Sequence, residues 1–96
     1  MRCRFQCAAS RRAWRRRPDG VLISGTREWA IEVETTAKPL DQYLAILDAY
    51  SDQGVESHWY VAPPVAQERI LHAAAVLDVR DLVRVWDWHP GAARCD

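Results

Sequence analysis

Pro18-Asp19-Gly20-Val21-Leu22-Ile23-Ser24-Gly25-Thr26-Arg27-Glu28-Trp29-Ala30-Ile31-Glu32-Val33-Glu34-Thr35-Thr36-Ala37-Lys38 is the stretch whose reading decides the fold. Val21 to Ser24 and Glu28 to Thr35 are β-branched and apolar, and Gly25-Thr26 between them is a turn signal, so the segment predicts an antiparallel hairpin. Side chains alternate along a strand. Ile31 and Val33 therefore share one face while Ala30, Glu32 and Glu34 share the other, which sets the two carboxylates about 7 Å apart. Asp19 opens the partner strand, and pairing brings its carboxylate toward the glutamates. Acids converging on one spot repel unless a cation sits between them.

Pro-Asp followed by acid-x-acid on the next strand resembles the PD-(D/E)xK phosphodiesterase superfamily, the fold of many restriction enzymes and junction resolvases. Asp19 and Glu32 match its two acids. The wider run from Arg17 through Ile23, then Ala30 through Lys38, with Tyr43, Tyr50 and His58-Trp59-Tyr60-Val61, looks most like the nuclease-like half of replication-relaxation proteins of actinobacterial plasmids and mobile elements. The resemblance spans residues 17–88. It implies a metal-dependent nuclease-like domain acting on DNA, with Mg²⁺ or Mn²⁺ as cofactor and Asp19, Glu32 and Glu34 as ligands. Two features depart from the pattern. Glu34 stands where the superfamily usually has lysine, and the winged-helix domain that precedes this half in the family is missing from the sequence.

The length of 96 residues, with nearly half of them apolar, suits one small domain with a modest core. The formal net charge of zero hides an asymmetry. Seven of the thirteen basic residues fall in residues 1–17, which hold no acid, so residues 18–96 set six bases against thirteen acids. An acidic body leaves any electrostatic grip on phosphate to the arginine-rich arm or to bound metal. Residues 1–17 have no caps and no clear period, and are expected to form a disordered arm, followed by the α/β domain over 18–90 and a tail over 91–96. Trp14 is placed either to stack among the arginines or to cover the hairpin's edge. Cys3, Cys7 and Cys95 form no CxxC pair, which suits reduced thiols in a cytoplasmic protein; a zinc site built from them with His89 lacks paired-knuckle spacing. No apolar run approaches ~18 residues, and no apolar segment follows the basic start, so neither a membrane span nor a secretory signal is expected.

Beyond the hairpin, Pro39 opens a helix on which Leu40, Tyr43, Leu44, Leu47 and Tyr50 recur at helical spacing, ending before Gly54. This places Tyr43 and Tyr50 at the edge of the core. Glu56 to Ala62 predicts a strand, stopped by Pro63-Pro64. Val65 to Leu77 predicts a second helix, and Leu82 to Trp88 a last strand. The expected fold is thus α/β: a mixed sheet of about four strands with two helices, in the order β-β-α-β-α-β, which agrees with a restriction-endonuclease-like core lacking its first helix and strand.

Phosphodiester cleavage needs a hard cation, an activated water and charge to stabilise the leaving oxygen. Asp19 and Glu32 would hold the cation, aided by a backbone carbonyl such as that of Val33. Glu34 is a third ligand that acts on the water, a disabling replacement of a catalytic lysine, or a solvated strand residue. Lys38, at the turn into the first helix, has a stem long enough to reach back over the carboxylates. The second reading is a catalytically inactive nuclease-fold module. It would use an unpaired sheet edge and its aromatic surface to bind DNA, another protein or a second copy. His58 and His72 are isolated and are expected to be surface or packing residues.

Overall fold

The computed structural model describes residues 13–88. The elements run β1 (Gly20–Ser24), β2 (Arg27–Glu34), α1 (Leu40–Asp52), β3 (Ser57–Val61), α2 (Pro64–Val76), a short 3-10 helix (Arg80–Leu82) and β4 (Val83–Asp87), the order anticipated from the sequence. The four strands make one mixed sheet in the order β1-β2-β3-β4, antiparallel at the hairpin and parallel thereafter. The hairpin closes on a two-residue turn, and Gly25 takes the positive φ of 63° there, as tight hairpin turns require.

Both parallel connections advance the sheet in the same direction. Right-handed crossovers of this kind put both helices on one face. The core confirms it, because Tyr43, Leu47, Tyr50, Ile70, Ala73 and Ala74 from the helices cluster with Ala30, Trp59, Val61 and Val83 from the strands. Trp59 lies at the centre, its indole N–H donating to Ser57 Oγ at 3.0 Å and its ring edge-on to Tyr43 at 5.9 Å.

Each helix ends in a Schellman cap. After α1, the N–H of Gly54 (φ 65°) donates to Ser51 O and that of Val55 to Tyr50 O; after α2, Asp78 (φ 57°) and Val79 repeat the pattern on Ala75 and Ala74. Val55 and Val79 then turn inward and are buried, so each cap also directs the chain into the next strand.

Residues 13–17 are tied down against the end of α1. Gln53 Nε2 donates to the Ala13 carbonyl at 2.8 Å, its Oε1 accepts the Arg15 N–H at 3.0 Å, and Arg15 pairs with Asp52 at 3.0 Å. The arm expected to stay loose through residue 17 is thus anchored over its last five residues, because α1 offers a carboxylate and an amide there. Cys3, Cys7, His89 and Cys95, and the tail over 91–96, lie outside the described residues. Among the described residues no helix is long and apolar enough to cross a membrane.

Candidate functional site

The register of the hairpin positions Asp19. Gly20 is opposite Ile31, so β1 ends before Val33, and the Val33 amide runs past its partner strand. The Asp19 carboxylate takes that vacant ladder position, accepting the Val33 N–H at 2.9 Å. Asp19 is thereby held beside β2, where its negative charge is felt by Glu32.

Glu32 and Glu34 share a face of β2, and that face is the one covered by α1. The two residues are only 3% and 5% exposed. Carboxylates there need partners, and each has two. Glu32 receives a forked pair from the Arg16 guanidinium, at 3.1 and 3.3 Å, and the hydroxyl hydrogen of Tyr50. Glu34 receives both contacts of the Lys38 ammonium, at 2.6 and 2.7 Å, and the hydroxyl hydrogen of Tyr43 at 2.9 Å.

The two sets are the same device used twice. A glutamate on β2 meets a tyrosine on α1 and a cation from a flanking loop. The pairing is crossed in sequence because α1 runs back against β2, so the later tyrosine faces the earlier glutamate. Tyr43 and Tyr50 are seven residues apart, two helical turns and about 10 Å, and both hydroxyls lie over the strand. The sequence placed these tyrosines only at the edge of the core. Their rings are indeed buried, but their hydroxyls complete the polar site. The signal available was the coincidence of a seven-residue tyrosine spacing with acid-x-acid on the preceding strand.

Tyr43 also locks the turn that carries Lys38. Its hydroxyl oxygen accepts the Lys38 N–H at 2.9 Å, while Arg69 from α2 donates to the Lys38 carbonyl at 2.8 Å. Trp14 packs edge-on against Tyr50 at 6.1 Å, bringing the arm's last residues over the Glu32 end.

The electrostatics follow from burial. Burial raises the Glu32 carboxyl above its ordinary 4.5, Arg16 and Tyr50 pull it down, and Asp19 pushes it up again. Burial likewise pushes Tyr43 up to about 12, reinforced by the Glu34 carboxylate although the Lys38 amide opposes it. Tyr50 is raised further still, by burial and then by Glu32. Both phenols are therefore hydrogen-bond donors throughout the neutral range.

Three of the anticipated residues, Asp19, Glu32 and Glu34, belong to one neighbourhood of β2, but each is engaged separately: on a backbone amide, on Arg16 and on Lys38. Among the described residues no three histidine, cysteine or acidic side chains are grouped so as to hold a metal ion. Arg16, from the arm, was not anticipated as a site residue, and no periodic signal could have marked it. His58 pairs with Glu56 at 2.6 Å and lies edge-on to Trp29, on the opposite face of the sheet. Comparison with protein-family models, with curated proteins and with solved structures gives no match.

Proposed function

We propose that this chain is a divalent-metal-dependent nuclease-like domain acting on DNA, of the kind replication-relaxation proteins of plasmids and mobile elements carry. The observation that carries the reading is the Asp19 carboxylate held against the Val33 amide beside buried Glu32, with the Lys38 ammonium folded back on Glu34. The donor set fits a hard cation: Asp19 and Glu32 offer the oxygens that Mg²⁺ or Mn²⁺ takes, and two carboxylates suffice because such ions keep several waters. When bound, the ion would polarise a phosphate and lower the pKa of a water.

The chain's own residues do the rest. Arg16 fills the Glu32 fork until a cation competes for it, balancing the buried charge in the meantime. Glu34, oriented by Tyr43, is a carboxylate able to accept a water proton. Lys38 balances the charge of Glu34 and offers an ammonium to a phosphate oxygen.

Calorimetric titration of Mn²⁺ into the wild type and into an Asp19→Ala, Glu32→Ala variant tests the proposal. Heat of binding confined to the wild type, together with Mn²⁺-dependent cleavage of DNA, supports it. Equal background heats remove the metal site. The second reading, an inactive nuclease-fold module, is favoured by one specific observation: both glutamates already have a cation and a tyrosine hydroxyl. Under it, Arg16→Ala gives no gain in Mn²⁺ affinity; under the first, freeing the Glu32 fork tightens Mn²⁺ binding.

A further inference from the structure

The sheet has a second face, opposite the helices and the glutamates, and among the described residues no helix covers it. Alternation along the strands puts Trp29, Tyr60 and Trp86 on this face, with Arg27 and Arg84, while Glu28, Glu32, Glu34 and Asp87 fall on the helix side. The strand positions of this face are thus free of acid although the body of the protein is acidic. Glu56, just ahead of β3, is hydrogen-bonded to His58 at 2.6 Å.

The aromatic residues are arranged as platforms. Tyr60 and Trp86 are direct neighbours on β3 and β4, and Trp86 is 49% exposed. Trp29 lies nearer the start of β2, with the Arg27 guanidinium 4.9 Å over its ring and His58 at its edge. Among the described residues Arg84, two residues from Trp86, donates only to the backbone carbonyls of Asp81 and Val83, which carry no countercharge. Exposed rings flanked by guanidinium groups, on a face whose strand positions carry no acid, complement a polyanion with stackable bases.

We propose that this open face binds single-stranded DNA, its bases stacking on Trp86, Tyr60 and Trp29 and its phosphates meeting Arg84 and Arg27. Four strands at ~4.8 Å spacing give a platform about 14 Å across, room for two or three nucleotides. A duplex keeps its bases stacked on each other, so rings on a flat sheet recognise the unpaired strand. Val33, opposite Tyr60, and Leu22, opposite Trp29, extend the apolar floor beside the rings, and the choice of DNA over RNA rests on the function proposed above. The surface is independent of the carboxylate site and lies on the other side of the sheet from it.

The test is fluorescence anisotropy of fluorescein-labelled dT15 with the full chain, in EDTA so that the carboxylate site and any divalent ion play no part. Wild type is expected to bind dT15 more tightly than the matched duplex and than rU15. Trp86→Ala weakens dT15 binding about tenfold, the loss of one stacking platform, and Arg84→Ala lowers the slope of log affinity against log salt by about one. Leu71→Ala, on the exposed side of α2, leaves binding unchanged. Tyr60→Ala provides a second stacking variant if Trp86→Ala fails to fold. Equal affinity of wild type and both stacking variants overturns the proposal, since any binding then belongs to the arginine-rich arm. So does a preference for duplex or rU15, or sedimentation showing a dimer that Trp86→Ala dissolves while dT15 goes unbound.

Discussion

Replacing Arg16 by alanine removes the cation paired with a glutamate that is almost fully buried, and its cost follows from the geometry. Breaking a buried ion pair by deleting one partner costs about 3–5 kcal/mol, because the remaining charge is left in a poor solvent. The Arg16 side chain is 33% exposed, so water already screens its end of the pair, and the expected loss falls to about 2 kcal/mol near neutral pH. For a domain of this size that lowers Tm by about 8–16 °C.

The loss must depend on pH, with a sign that can be worked out. Burial holds the Glu32 carboxyl above its ordinary 4.5, and Arg16 is the largest opposing influence. A carboxyl raised in the folded state contributes stability that is present below pH 4.5 and is lost as pH rises through the folded value. Without Arg16 the folded value climbs further, so the variant loses more than the wild type as pH rises from 4 to 7. Urea unfolding followed by tryptophan fluorescence at pH 4 and pH 7 measures this directly. The expected destabilisation is small at pH 4 and about 2 kcal/mol at pH 7. Adding Glu32→Gln should recover much of the loss at pH 7, because the amide leaves no uncompensated charge. An Arg16→Ala cost that is equal at the two pH values, or a double variant whose loss is the sum of the single ones, would refute the reasoning.

Other consequences are open to the same kind of test. Tyr43 is pushed up from 10.0 to about 12, so the stability it contributes below pH 10 is lost as pH climbs toward 12; wild type should lose about 1 kcal/mol more than Tyr43→Phe between pH 8 and pH 11, measured by urea midpoints. Glu34→Gln keeps the Tyr43 hydrogen bond but breaks the pairing with half-exposed Lys38, and is expected to lower stability by about 1 kcal/mol and to abolish any Mn²⁺-dependent cleavage, read by denaturation and by a plasmid-nicking assay. Gly54→Ala has open space for its methyl group, so its expected loss of about 1 kcal/mol reports the left-handed backbone alone and should appear as a lower urea midpoint with an unchanged slope.

The sequence by itself determined the order of the elements and the alternation of β2. Gly25-Thr26, Gly54 and Pro63-Pro64 punctuate the chain where backbone φ or a missing N–H leaves few alternatives, and such constraints act within a few residues. The same locality put Glu32 and Glu34 on one face and Asp19 at the mouth of the hairpin. Which face would be covered was decided only by the tertiary structure. Period-two alternation says that two faces differ, not which of them receives a helix; here the crossovers out of β2 and β3 laid both helices on the glutamates' side of the sheet and left Val33 and Trp86 to the outside. Arg16, Tyr43 and Tyr50 became site residues for the same reason. Their partners are nine to eighteen residues away, and they meet only because α1 runs back along β2 and the arm folds against the end of α1. Contacts of that range depend on how whole elements pack: the seven-residue spacing of the tyrosines beside acid-x-acid pointed toward two of them, and nothing local marked Arg16.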